Sequence, residues 1–232
     1  MRLASRICFA FSAAALVLLP VRAEAIQFSF SNCYTSNGDT GVCAQVASQL
    51  KVEVTDAGGG FVDFTFTNEV GVASSLTDIY FDADGFLKNM TILDESSGVS
   101  FEIGANPANP PGAPANFSVT SGMTTDSNSP RSQNGIDDAS EYLTLRFETK
   151  GSNDFDDIIA ALQLGPTATS GIRIAAHVQA IGLDGQSEGM ICCTGGGGGG
   201  GGGVTTPEPA SLALFGIVAL GMAHRLRRRT SR

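Results

Sequence analysis

The sequence predicts a mostly β protein: a single β-sandwich or jelly-roll-like domain with one short helix, flanked by a signal peptide and a C-terminal apolar helix. Three observations carry this expectation. Short runs alternate apolar and polar residues, the period of a half-buried strand. Clusters of glycine with Asp, Asn or Ser separate those runs as turns. Both ends, in contrast, hold unbroken apolar segments beside arginines.

Taken in order, the first strand signal is Gln27 to Asn32, where Phe28 and Phe30 alternate with polar neighbours. Leu50, Val52 and Val54 repeat the pattern, followed by Val62, Phe64 and Phe66 between Asp63, Thr65 and Thr67. Leu76 to Phe81 and Phe86 to Leu93 are less regular but rich in β-formers. Val99, Phe101 and Ile103 come next, then Leu143, Leu145 and Phe147, then a late strand through Ile172, Ile174, Ala176 and Val178. Turns fall at Gly58-Gly59-Gly60, Asp84-Gly85, Ser96-Ser97-Gly98 and Asn134-Gly135. One helix is expected from about Asp154 to Leu164. Ser152 or Asn153 can cap it, Asp154, Asp156 and Asp157 suit its positive end, and Phe155, Ile158, Ile159 and Leu162 share a face. Asn106 to Pro114 holds four prolines and reads as a surface loop, running on into the polar stretch Ser121 to Ser140.

The 232 residues suffice for one domain or two small ones, and the overall charge is −9. Eight basic residues crowd the two ends, so Ile26 to Thr206 carries six basic against 21 acidic residues, or −15. So acidic a body repels nucleic acid and anionic lipid, and no nucleic-acid partner is expected.

Residues 1–25 read as a secretory signal. Arg2 and Arg6 begin it, the apolar run Ile7 to Leu19 is broken only by Ser12, and Ala23-Glu24-Ala25 offers small residues to signal peptidase. That run of 13 residues falls short of the about 20 needed to span a bilayer. Residues 26–194 form the expected β-rich extracytoplasmic domain and 195–206 a glycine-rich linker. Nine consecutive glycines, Gly195 to Gly203, give a tether reaching about 15–18 Å. Residues 207–232 open with Pro207-Glu208-Pro209, continue through an apolar stretch from Ala210 to Ala223, and end in a basic cluster with Arg225, Arg227, Arg228 and Arg229. The prolines hold Glu208 in extended backbone suited to a protease cleft, and the arginines stop the segment in the membrane, cytoplasmic side inward. The apolar stretch is about 21 Å long as a helix, against a hydrocarbon core of about 30 Å, so flanking residues and local thinning must supply the rest.

This tail resembles the PEP-CTERM sorting signal of Gram-negative bacteria. The resemblance implies recognition by an exosortase-type membrane protease, a membrane association through the sorting helix before processing, and release towards the cell surface with an exopolysaccharide or biofilm-matrix association. A second resemblance covers more of the chain: VDFTFTNEVGVASSLTDIYFD at 62–82, GVSF at 98–101, NGID at 134–137 and GIRIAAHVQAI at 171–181 look like a recurrent body of PEP-CTERM proteins. That body brings no activity with it.

Cys33, Cys43, Cys192 and Cys193 remain after signal removal, an even count that reads as disulfides in an exported chain. Three pairings are open. Closure entropy favours at least one long-range bridge between an early and a late cysteine, with Cys33–Cys43 as the alternative. Zinc is not expected, for want of paired CxxC spacing. His177 is the only histidine of the body, on the opposite face of its strand from Ile174 and Val178, and neither a GxSxG elbow nor a phosphate loop accompanies it. No enzyme is therefore expected. Asp82-Ala83-Asp84-Gly85 offers two carboxylates for calcium, or else is a plain hairpin turn. Asp137-Asp138 with Glu141, and Asp154 to Asp157, are weaker acidic clusters. No other cofactor is expected. The leading reading is an exported, non-enzymatic surface or matrix protein. A calcium-assisted carbohydrate-binding module is the alternative, although Trp is absent and Tyr occurs only at 34, 80 and 142. A glycoside hydrolase using Asp82 with Asp84 or Glu141 ranks below both.

Overall fold

The structure is a computed structural model that describes residues 25–34, 40–69 and 71–193. The expected signal peptide up to Glu24, the tether, the sorting motif and the arginine cluster lie outside the described residues.

In chain order, strands β1 (Ala25–Ser29) and β2 (Asn32–Tyr34) lead into helix α1 (Thr40–Gln49). Strands β3 (Leu50–Gly58), β4 (Phe61–Asn68), β5 (Ser75–Asp82), β6 (Leu87–Glu95), β7 (Phe101–Ile103) and β8 (Thr124–Ser127) follow. Helix α2 (Arg131–Asn134), strand β9 (Tyr142–Thr149), helix α3 (Phe155–Gln163) and strands β10 (Arg173–Ile181) and β11 (Gln186–Cys192) complete the domain. All pairings are antiparallel. They build a five-stranded sheet, β1-β3-β4-β9-β6, and a six-stranded sheet, β2-β11-β10-β5-β8-β7.

The two sheets face each other across one core, which confirms the sandwich. Val52, Val54, Phe64, Phe66, Leu145 and Phe147 from the first sheet meet Ile79, Phe81, Ile174, Ala176 and Val178 from the second, each fully buried. Phe81 is the hinge of this packing. Its ring lies 4.6 Å from that of Phe147, 5.4 Å from Phe64 and 6.2 Å from Phe66, the last two edge-on. Such edge and tilted pairs each add about 0.5–1.5 kcal/mol beyond area burial.

Most alternating runs became strands where they were expected, and the Pro-rich loop stays irregular. The expected strand Gln27 to Asn32 is instead divided at residues 30–31 between β1 and β2, which lie in different sheets. Three further expectations need correction. The single helix is joined by α1 and α2, and its cap is not Ser152 or Asn153. Asp154 caps α3, accepting the Asp157 amide while the Asp157 carboxylate accepts the Asp154 amide, a reciprocal capping box that satisfies two otherwise orphaned donors. The stretch 121–140 is not simply loose, because β8 and α2 lie within it. Finally, the favoured long-range disulfide does not form. Cys33 bonds Cys43 and Cys192 bonds Cys193. The cause is α1, which folds the chain back so that the Cα atoms of Cys33 and Cys43 lie 6.1 Å apart, within ordinary bridging range. Closing that short loop is worth about 2–3 kcal/mol on the chain-entropy account.

One covering segment positions the functional face. Residues 104–120 cross the outer surface of the six-stranded sheet, and Phe117 packs there with Tyr80, Ala175 and Ile191 as a second small core. The Tyr80 hydroxyl donates to the Pro107 carbonyl (3.2 Å). β5 is consequently buried on both faces over nearly its whole length.

Candidate functional site

A row of polar side chains crosses the outer face of the six-stranded sheet beside that second core. Its backbone register is direct. Asp126 on β8 stands opposite Asp78 on β5, Asp78 opposite His177 on β10, His177 opposite Gly189 on β11, and Gly189 opposite Tyr34 on β2. Because side chains alternate along a strand, these residues share one face with Tyr80 and Ala175, whereas Ile79, Ala176 and Val178 point into the main core.

His177 is the centre. Its Nδ1 lies 2.8 Å from Asp78 Oδ2 and its Nε2 lies 2.6 Å from the hydroxyl of Ser187, the diagonal neighbour on β11. With Nδ1–H donating to the carboxylate, Nε2 is left to accept the serine proton. Asp78 is 1 % exposed and the His177 side chain 14 %, while Ser187 is half-buried at the end of the strand. A register shift holds the carboxylate in place. Pairing moves from Asp78–His177 to Leu76–Val178. Thr77 is left over, and its hydroxyl lies 2.8 Å from Asp78 Oδ2 and 3.2 Å from the His177 carbonyl.

Two carboxylates directly opposite each other would repel. Arg131, carried in by α2, answers this: it pairs with Asp126 and its Nη1 stands 3.6 Å from Asp78 Oδ1. Burial, with repulsion from Asp78, still pushes Asp126 above the usual carboxylate range, although the Arg131 bond opposes it. The same surroundings raise both nearby phenols. Tyr34 and Tyr80 are held well above their ordinary value, first by burial and then by the Asp78 charge. Tyr34 lies over Gly189, where any β-carbon would strike its ring. Ser187, His177 and Asp78 therefore form a hydrogen-bonded hydroxyl–imidazole–carboxylate array on three adjacent strands.

The residues singled out from sequence are placed differently. Asp82 pairs with the buried Arg173 and accepts the Ser118 amide (3.1 Å), so it ties the covering segment to β10. Asp84 takes Lys150 at 2.7 Å, which holds its carboxyl below the usual range, and the Asp84-Gly85 stretch is a hairpin turn closed by the Phe86 amide on the Ala83 carbonyl (3.0 Å). Each DADG carboxylate thus has its own cation. Among the described residues no group of three or more His, Cys, Asp or Glu gathers to hold a metal. Glu141 accepts the amides of Asp137 and Asp138, a turn rather than a cleft. Asp154 and Asp157 are spent on the α3 cap. Cys192 and Cys193 are fully buried at the end of β11. Pro207, Glu208, Pro209 and the four arginines lie outside the described residues.

Sequence reasoning singled out His177 but missed Asp78 and Ser187 as its partners. Residues 78, 177 and 187 share no local signature; only the neighbouring order of β5, β10 and β11 joins them. A hint was available in Asp78, an acid inside the otherwise apolar run Leu76 to Phe81.

No curated protein and no solved structure matches the chain. A family model for the PEP-CTERM protein-sorting motif does, over residues 205–229. Those residues contain the Pro207-Glu208-Pro209 triplet, the apolar stretch and the arginines that suggested this assignment. That match shows that the chain carries a PEP-CTERM protein-sorting motif at its C-terminal end, a signal that implies an exported exosortase substrate placed at the cell envelope or surface.

Proposed function

We propose that this protein is displayed at the cell surface or in the extracellular matrix, where its acidic β-sandwich associates with exopolysaccharide. The sorting motif at 205–229 is the observation that carries the reading. The remaining features agree with it. A signal-peptide pattern precedes the domain, β1 starts at Ala25 beside the expected cleavage point, and nine glycines separate the domain from the motif. Such a tether lets a membrane protease reach Pro207 to Pro209 without meeting the folded body. Calcium-assisted sugar binding through Asp82 and Asp84 has weaker support, since Arg173 and Lys150 already occupy them.

The test is processing in a host that carries an exosortase-type protease. Full-length chain should lose its C-terminal segment and reach the surface fraction, then co-sediment with extracted exopolysaccharide. Glu208→Ala together with Pro207→Ala should leave it uncut in the inner membrane. Equal processing of both forms would overturn the sorting step. Processed chain that stays in the supernatant of the polysaccharide pellet would overturn the matrix association.

A further inference from the structure

We propose that Ser187, His177 and Asp78 give the displayed domain an acyl-ester hydrolase activity, with Ser187 as nucleophile, His177 as general base and acid, and Asp78 as the positioning residue. This goes beyond display and does not depend on it.

The geometry meets the requirements of the chemistry. A nucleophile must lie within hydrogen-bond reach of its base, and the base must be oriented by a third group. Ser187 Oγ is 2.6 Å from Nε2 and Asp78 Oδ2 is 2.8 Å from Nδ1, two contacts on opposite nitrogens of one ring. Asp78 is itself fixed by Thr77 and faced by Arg131, so the ring cannot turn without breaking a buried network. Burial is graded in the useful direction: the carboxylate is sealed, the imidazole nearly so, and the serine sits half-buried at the open end of the sheet. The exposed turn Gly182 to Gly185 adjoins it, with Leu183 fully solvent-facing as an apolar contact for an arriving acyl group. The absence of a GxSxG elbow does not bear on this arrangement, because here strand order rather than a tight turn delivers the serine.

The reaction balances with water as the only co-reactant. Ser187 Oγ bonds the ester carbonyl carbon and its proton passes to Nε2. The tetrahedral intermediate expels the alcohol, which takes that proton as the carbon–oxygen bond breaks. Water then attacks the acyl-serine, its proton goes to Nε2 and returns to Oγ, and the carboxylic acid leaves. Asp78, Asp126 and the −15 charge of the body select against anionic substrates. The substrate class is thus an uncharged acyl ester, such as a short acyl group on a neutral hydroxyl carrier.

Full-length protein should be treated with a fluorophosphonate, which transfers phosphorus to an activated serine with loss of fluoride, and the adduct located by peptide mass. p-Nitrophenyl acetate hydrolysis should be followed in parallel. The expected result is a single adduct on the peptide containing Ser187. Hydrolysis should be lost in Ser187→Ala and lowered by about 10²–10⁴ in His177→Gln. Asp78→Asn should lower kcat and leave KM, which a merely structural defect would not do. The wild-type adduct needs no variant, so a misfolded variant does not spare the proposal. Folded wild-type protein without an adduct on Ser187, or hydrolysis equal in Ser187→Ala, overturns it.

Discussion

Two arginines occupy matching positions on the two sheets, and comparing them separates what each outer face is for. Arg146 on β9 stands directly opposite Asp63 on β4, and Arg173 on β10 directly opposite Asp82 on β5. Each also lies over a phenylalanine ring, Arg146 5.6 Å from Phe61 and Arg173 5.5 Å from Phe117. The pairs differ in water. Arg146 is 34 % exposed, and its two bonds to Asp63, both 2.7 Å, run along an open sheet face. Arg173 is 7 % exposed and bonds both Asp82 and the Asn116 carbonyl. The first is decoration on a solvated surface. The second fastens residues 104–120 over the sheet, beside the polar row that holds the buried Asp78.

The largest effect should therefore come from Arg173→Met. Removing one partner of a buried pair leaves Asp82 charged and poorly solvated, which costs about 3–5 kcal/mol. Denaturant unfolding measures this directly. Limited proteolysis should at the same time cut within residues 104–120, where wild-type chain resists. An unchanged cleavage pattern would show that Phe117 and Tyr80, and not the arginine, hold the cover in place.

This contrast also explains which parts of the molecule were legible. The five-stranded sheet has one wet face, so β3, β4 and β9 alternate cleanly and Val62, Phe64 and Phe66 announce themselves. The six-stranded sheet is covered on both sides. Its β8 reads Thr-Thr-Asp-Ser, four buried polar residues with no apolar stripe, and β11 carries Gly189 precisely where Tyr34 needs room. Both strands lacked a periodic signal for that physical reason. Helix α1 was hidden likewise, having a weak apolar face and no acidic first turn, and with it went the disulfide pairing. The Ser187–His177–Asp78 array could not be read because its residues meet only through strand order. The sorting tail, in contrast, is a linear signal and was legible without any fold.

A smaller effect should follow from Gly189→Ala. The new β-carbon drives into the Tyr34 ring on the covered face, and overpacking of that kind costs about 1–3 kcal/mol. Thermal unfolding should show the loss. The same substitution at the exposed Gly58, where no atom lies nearby, tests positive φ alone, since that residue sits at φ +72°.

The covered face should also respond to pH in a direction the open face does not share. Asp126 is raised in the folded protein by burial, then by Asp78. A carboxylate raised on folding binds its proton more tightly in the native state. Its contribution is therefore full below the ordinary carboxylate pKa and is lost as pH rises through the folded value. Thermal melts between pH 7 and pH 4 should show wild type gaining stability relative to Asp126→Asn as the pH falls. A constant difference across that range would mean that Arg131 neutralises Asp126 fully.

Arg146→Met should produce the smallest change and so sharpens the comparison most. Asp63 holds the Arg146 guanidinium above its ordinary value, yet the pair is solvated, and exposed ion pairs are worth about 0–1 kcal/mol. Methionine preserves most of the apolar stem that lies against Phe61. The expected loss is under about 1 kcal/mol, and salt should diminish it, because a Debye length of about 8 Å at physiological ionic strength shrinks to about 3 Å at 1 M. Arg173→Met should keep its deficit in the same salt. If the two variants instead weaken equally, cation–ring stacking, which the sites share, outweighs the burial that divides them.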